Sequence, residues 1–455
     1  MSNLPQLHSS SSTIVYPNDL QYEEKRQIWN SAIDKTPAAI AVCVTEQDVI
    51  AAVQLAKQQQ WPIAIRSGGH HIGGFAMCDE GFVIDVQQLK EIDIDTAKQT
   101  VTIGAGVLAG ELNAATQQHG LAVPLGTAST TGVSGVALGG GIGYLRGRYA
   151  LTCDNLVAAR IVTADGTCLV VNEQENADLL WALKGGGGNF GVVTSLTFQA
   201  HPIGTDVFAV DVLYDFADAA TVFERAQAFI AQADDATVAV NMTVAVLLPA
   251  PFLPDFLHFK KVIMVVALYN GDVQLGEAAT QPLRQLATPI VDQSGVMPFL
   301  QLQQKLDVMI PPRVNCYGTS LYFDDLTPAA QQALISVATT SPIPSTLIQL
   351  WSLGGAVNRV ASDATAFAVR DAKYVLLVDA MAMNGEDEAC QAWLRDLEQA
   401  LRTVSNGTPY INGIVADDTV VARAYRQNKD KLIDIKTKYD PHNTFRFNHN
   451  FVPKA

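Results

Sequence analysis

From Leu112 to Cys153 the chain has no aspartate or glutamate, although it holds 45 acidic residues in 455 and a net charge of −15. Inside that stretch stand Gly126-Thr127-Ala128-Ser129-Thr130-Thr131-Gly132, then Gly135, then Gly139-Gly140-Gly141-Ile142-Gly143. Two further stretches are cleared of carboxylates. Residues 49–78 contain Arg66-Ser67-Gly68-Gly69-His70-His71, and residues 179–205 contain Gly185-Gly186-Gly187-Gly188-Asn189-Phe190-Gly191. Glycines let backbone N–H groups approach an anion closely, and a nearby carboxylate would repel it. Three such loops read as backbone cradles for a diphosphate. The alternative is three turn-rich apolar connections. None is a Walker loop, because no lysine with a following hydroxyl residue closes the motif.

The first loop follows Trp61-Pro62-Ile63-Ala64-Ile65, which reads as a short buried strand. Residues 38–44 read as another. Between them Thr45-Glu46-Gln47-Asp48 fits a capping box ahead of a helix over 49–60, which makes 38–65 a β-α-β unit. A helix is also expected around residues 20–33. Strands are expected at 82–86 and 100–103, the second running into Gly104-Ala105-Gly106-Val107-Leu108-Ala109. That formal GxGxxA does not make a Rossmann fold, which needs an acidic residue about 20 positions on. Here that window falls inside the acid-free stretch.

After Gly204 the texture changes. Residues 206–404 alternate strand-like runs (207–213, 238–248, 262–268, 375–383) with Ala/Gln-rich helices (219–233, 328–339, 386–404). This predicts an α+β second domain on an antiparallel sheet. A chain of this length is expected to form two or three domains, and 48% hydrophobic with 16% charged residues describes a packed globular protein. The negative charge argues against nucleic acid or an anionic membrane surface as partner. No apolar run approaches a membrane span, and no basic-then-apolar leader is visible, so a cytoplasmic location is expected. The six cysteines include no CxxC pair and read as reduced thiols. Cys78, His119, His201 and His258 have no metal-ligand spacing, so no metal site is expected.

The motifs taken in order resemble the berberine-bridge-enzyme-like branch of the vanillyl-alcohol-oxidase family of FAD enzymes. The resemblance is carried by RSGGH at 66–70, the glycine-rich segment 126–143, and Tyr149-Ala150-Leu151 with Asp154-Asn155. It continues through Gly188-Asn189-Phe190-Gly191-Val192-Val193-Thr194, Gly354-Gly355-Ala356, Thr365-Ala366-Phe367 with Arg370, and Tyr410-Ile411-Asn412. It ends with Lys438-Tyr439-Asp440-Pro441 and Phe445-Arg446-Phe447-Asn448. It implies an α+β fold: a two-part PCMH-type FAD-binding domain, residues 1–205 and 405–455, around a substrate domain, 206–404, with an antiparallel sheet covered by helices.

The implied cofactor is FAD with one covalent 8α-N-histidyl link through His70, His71 being the weaker candidate. Relatives with a second link carry a cysteine where this chain has Ala128, so one bond is expected, and Cys153 reads as a packed thiol. The implied cofactor-binding residues are Arg66, Ser67, Gly68, Gly69, His70 and His71, with Gly126, Thr127, Thr131, Gly132 and Gly135. Gly141, Gly143, Val193, Asn448 and Asn450 complete the set. The implied activity is oxidation of a C–N or C–O bond of a small organic molecule by hydride transfer to flavin N5, with O2 reduced to H2O2. The alternatives are a carbohydrate or alcohol oxidase and a dehydrogenase using another acceptor. The expected assembly is a monomer or homodimer.

The catalytic base should be a Tyr, Asp, Glu, Lys or His tuned by its surroundings. Asn412 matches an active-site asparagine of the family, and Tyr410 reads as either base or wall. Leu347, Gln349, Trp351 and Leu353 alternate and so share one face of a strand. Neither Gln349 nor Trp351 is an effective base, and Trp351 reads as an aromatic wall or as core. Tyr317 and Tyr322, on a strand-like segment over 315–323, are further candidates.

Overall fold

A computed structural model describes residue 7 and residues 10–251, 253–383, 385–415 and 418–454. Residues 13–199 form two small sheets. In the first, strands Thr13–Val15, Ala39–Val42, Phe82–Asp85 and Ile63–Arg66 lie side by side in that order. The helix Glu46–Gln59 starts at the expected capping box: Thr45 Oγ1 accepts from the Asp48 N–H at 3.2 Å, and Asp48 Oδ2 accepts from the Thr45 N–H at 2.9 Å. The β-α-β unit differs from the expectation in one respect. Phe82–Asp85 pairs in parallel with both Ala39–Val42 and Ile63–Arg66, so it lies between the two strands that the helix joins.

The second sheet has the order Ile92–Asp95, Thr100–Gly104, Val192–Gln199, Leu156–Val162, Cys168–Val171, all antiparallel. Strand Thr100–Gly104 therefore lacks the parallel neighbours of a dinucleotide fold. A Cβ on Gly104 or Gly106 would lie 2.3 Å from the carbonyl oxygen of Leu89 or Val86, so these glycines serve chain packing. The helix expected around 20–33 is only Tyr22–Lys25. Beyond it, Asn30 is claimed by tertiary bonds: its Nδ2 donates to the carbonyls of Ile72 and Cys316, and its Oδ1 accepts from the Cys316 N–H.

Residues 206–382 supply one large antiparallel sheet with the order Pro289–Asp292, Asp206–Asp215, Lys261–Tyr269, Val240–Val246, Thr346–Ser352, Tyr374–Ala382, Asn315–Phe323. Gly295–Pro298 pairs with the far end of Asp206–Asp215. Strand alternation gives this sheet two different faces. Val240, Met242, Ile263, Val265, Ile348, Leu350, Leu376 and Val378 pack in one core with Val222 and Phe223 of helix Ala219–Ile230, Leu334 of Pro328–Thr340 and Leu394 of Asp387–Leu401. The opposite face carries Leu347, Gln349, Trp351, Leu377 and Asp379 and turns toward the glycine loops. No helix among the described residues is long and apolar enough to cross a membrane. None of their His, Cys, Asp and Glu form a group of three able to hold a metal ion.

The C-terminal segment returns to the glycine loops through a buried ion pair. Lys436 and Asp440 are both fully buried, one helical turn apart, with Nζ donating to Asp440 Oδ2 at 2.6 Å. The same ammonium donates to the Asn189 carbonyl at 2.8 Å and the Phe445 carbonyl at 2.9 Å, so its three protons are all used. Lys436→Met would strand the Asp440 carboxylate, and we expect it to cost about 3–5 kcal/mol in chemical denaturation. An unchanged denaturation midpoint would contradict that role.

Candidate active site

The three glycine loops, the C-terminal return and the inner face of the large sheet meet around one cavity of about 400 Å³. Ser67, Gly68, Gly69, His70 and His71 line it, as do Gly126, Thr127, Ala128, Thr131, Gly132 and Gly135. Gly187, Gly188, Asn189 and Val193 contribute a third side, and Tyr410, Asn412 and Asn448 a fourth. Of the Asp, Glu, Lys and Arg residues described, only Asp379 lines it.

Two of the loops touch backbone to backbone. A Cβ on Gly68 would lie 2.3 Å from the Gly132 nitrogen, and one on Gly132 would lie 2.5 Å from the Gly68 nitrogen. Gly135 and Gly188 differ: a Cβ at either would meet nothing within 4 Å. Their bare backbone faces open space, as a cradle for a ligand requires. Tyr425 Oη and Asn448 Oδ1, from residues lining the same cavity, are buried without a hydrogen-bond partner. A group carrying both donors and acceptors suits that wall, and the glycine-lined sides, free of described charged residues other than Asp379, suit an FAD.

The paired histidines do different work. His71 Nδ1 accepts from the Gly73 N–H and Nε2 reaches the Ile411 carbonyl, each at 3.0 Å, so Nε2 carries the proton. Its ring also stacks on Phe75 at 4.1 Å. Both nitrogens of His71 are committed. His70 uses only Nε2, 2.8 Å from Thr130 Oγ1, while its ring stacks on Trp29 with centroids 4.9 Å apart. Burial pushes His70 down to about 4, so the imidazole is neutral, with one nitrogen protonated and the other carrying a lone pair.

Six expected site residues do not line the cavity. The Arg66 side chain turns away, its Nη1 bonded to the Lys25 carbonyl and 3.8 Å from Asp85. Gly141 (φ +84°) packs on Thr152, where a Cβ would lie 2.1 Å from the hydroxyl. At Gly143 a Cβ would lie 1.7 Å from the Leu125 carbonyl oxygen, and its own carbonyl accepts from buried Arg146. Asn450 lies outside the lining, with its Oδ1 buried and unpartnered. Tyr322 is buried behind the cavity with Trp351, Phe367 and Tyr410, its ring 6.3 Å from that of Tyr410. Tyr317 donates to Asp387 on the helix-covered side of the sheet.

Tyr410 reaches the cavity but makes a poor base. Its oxygen accepts from the Gly141 N–H at 2.9 Å and Asn412 Nδ2 at 3.0 Å, and burial pushes the phenol up to about 12. Asn412 spends its amide on Tyr410 and the Val136 carbonyl and lies against Gly139, where a Cβ would sit 1.8 Å from its oxygen. These two residues form a fixed wall.

Sequence reading missed Asp379. It lies on Tyr374–Ala382 opposite Leu347, one strand over from Gln349, whose Nε2 donates to its Oδ2 at 2.9 Å. Burial pushes the carboxyl up to about 6, while the bond from Gln349 pulls it down. One signal was available: Asp379 is the single charged residue in an otherwise apolar strand, and a buried carboxylate there calls for a reason. Gln349 and Trp351 share its face, as their alternation predicted.

Known proteins share this chain's sequence pattern and fold. A family model described as FAD binding domain matches residues 37–172, and one described as berberine and berberine like matches residues 409–451. YgaK, an uncharacterized FAD-linked oxidoreductase of Bacillus subtilis, is 30% identical over 97% of this chain and 96% of its own length. The chain belongs to the berberine-bridge-enzyme-like FAD-linked oxidoreductases. Within this family, (R)-6-hydroxynicotine oxidase of Paenarthrobacter nicotinovorans is 28% identical over 98% of both chains. The fold matches that of Physcomitrella patens BBE-like 1 with a TM-score of 0.88 at 23% identity, covering 98% of each chain. The FAD-linked oxidoreductase is thus an α+β enzyme with the expected fold.

Proposed function

We propose that this FAD-linked oxidoreductase oxidises a C–N or C–O bond of a small, largely apolar molecule. In this reading Asp379 accepts the proton, His70 alone anchors the flavin, and dioxygen is the final acceptor, leaving as H2O2. The observation that carries it is the Asp379 carboxylate, partly desolvated and alone among the described Asp, Glu, Lys and Arg residues on the cavity wall. A base of this kind is ionised near neutral pH yet holds a proton readily, as general catalysis requires.

Flavin, when bound, supplies the two-electron redox chemistry, while the protein supplies position and the path of the proton. Residues 1–205 and 405–455 hold the flavin, and residues 206–404 hold the substrate. Ser67, Gly68, Gly69, Gly126, Thr127, Thr131, Gly132, Gly135, Val193 and Asn448 form the cradle. Ala128 offers no sulfur for a second link. Asp379 takes the proton from a substrate O–H or N–H, and the Gln349 amide fixes the carboxylate's direction. Leu347, Trp351, Leu377 and Met381 around it exclude water and hold an apolar body. An oligosaccharide would need an open groove of polar groups and stacking aromatics. The apolar lining supports an amine or apolar alcohol instead.

The test is anaerobic bleaching of the bound flavin with a panel of amines, alcohols and oligosaccharides. Apolar amines or alcohols should bleach it; bleaching by oligosaccharides alone would overturn the substrate reading. Mixing the bleached protein with aerated buffer in stopped flow should restore the oxidised spectrum rapidly with peroxide formed. Slow reoxidation would rule out the oxidase reading in favour of a dehydrogenase.

A further inference from the structure

We propose that Trp29 and Thr130 are positioning residues that present Nδ1 of His70, rather than Nε2, as the atom that bonds the flavin. The inference rests on the reading that His70 is the anchor and adds what decides the atom and the rate of attachment. An imidazole in a turn has two nitrogens of similar reactivity and two free torsions, so a single product requires constraint. Two independent contacts supply it. The indole of Trp29 lies 15° from parallel with the imidazole, fixing the ring plane. Thr130 Oγ1 takes Nε2 at 2.8 Å, fixing which edge of the ring faces away. The remaining nitrogen, Nδ1, has no hydrogen bond among the described residues, and His70 lines the cavity.

Both contacts are held by structure outside the cavity. Trp29 Nε1 donates to the Pro311 carbonyl at 2.9 Å. The turn carrying Thr130 is pinned by its backbone: the Ser129 N–H donates to Asp307 Oδ1 at 2.9 Å, and the Ser129 carbonyl accepts from the Gly110 N–H at 2.9 Å. Removing the Thr130 hydroxyl leaves those anchors in place.

The linking step then balances as follows. With the imidazole in the Nε2–H tautomer donating to Thr130 Oγ1, the Nδ1 lone pair would bond the 8α carbon, that carbon would give up one hydrogen as a proton, and the Nε2 proton would leave by way of the Thr130 hydroxyl. The two electrons stay in the flavin ring until dioxygen removes them together with both protons as H2O2. Nε2 bonded to Thr130 supports the positive charge that develops on the imidazole, as a hydrogen bond to a charged group does.

The test follows incorporation of added FAD into apoprotein, measured as flavin retained after acid precipitation, with the attachment atom assigned by NMR of the isolated flavin peptide. Wild type should link through Nδ1. Thr130→Val should slow linking by about 10-fold or more, the equivalent of about 1.4 kcal/mol, and yield a fraction joined through Nε2. Thr130→Ser should restore both rate and atom, which a purely structural role would not predict. Trp29→Phe should remain close to wild type and Trp29→Ala should mix the two products. Unchanged rate and attachment in both Thr130→Val and Trp29→Ala would overturn the positioning role while leaving the His70 anchor intact. Wild-type protein that retains no flavin in acid would overturn both.

Discussion

His70→Ala protein should lose all acid-stable flavin, leaving a colourless pellet and the whole cofactor in the supernatant. His71 cannot take over, because its Nδ1 already accepts from Gly73 and its Nε2 reaches the Ile411 carbonyl. Cys153 cannot either: it is buried in an apolar cluster and its thiol is pushed well above its ordinary range by burial. The cradle does not depend on the bond, so the variant should still bind FAD reversibly and show a flavin spectrum. Its reduction potential should fall, because an alkylated imidazole withdraws electron density from the ring. Flavin retained in acid by the variant would place the link on another residue.

Asp379→Asn should lower turnover by about 10²–10⁴-fold, the range for loss of a general base, with flavin binding unchanged. It should also make the protein more stable at neutral pH. The folded carboxyl titrates near 6 against an ordinary value of 3.8, so the protein carries a penalty that grows as pH rises from about 4 and is complete above about 6. Asparagine has no charge to desolvate and can still accept from Gln349. The gain should be roughly 1–3 kcal/mol at pH 7 and should vanish below pH 4. A loss of both activity and stability would mean that Asp379 is a structural group.

Much of this was legible because the information was local. The Thr45 capping box, the strand Asn315–Phe323 and the glycine loops each follow from a few neighbouring residues. The same locality hides which of these residues reach the cavity. A glycine needed by a ligand and one needed by a neighbouring carbonyl look alike in sequence. Gly135 opens into the cavity, whereas Gly143 would drive a Cβ into Leu125. Tyr322 and Asp379 sit on paired strands, four residues of register apart: Tyr322 lies opposite Val375, and Asp379 opposite Gly318. Only the sheet's position over the glycine loops puts Asp379 in the cavity and Tyr322 behind Tyr410. The short helix Tyr22–Lys25 is a similar case, since residues 286 positions away claim Asn30.

Proton transfer to Asp379 is read out by the pH dependence of flavin bleaching under anaerobic conditions with whichever substrate the screen identifies. In the wild-type enzyme the second-order bleaching rate should rise about tenfold per pH unit and level off above about pH 6, where Asp379 is ionised. In Asp379→Asn the rate should be low and that limb absent. The same limb in both proteins would exclude Asp379 as the base, because the proton would then be leaving through some other group.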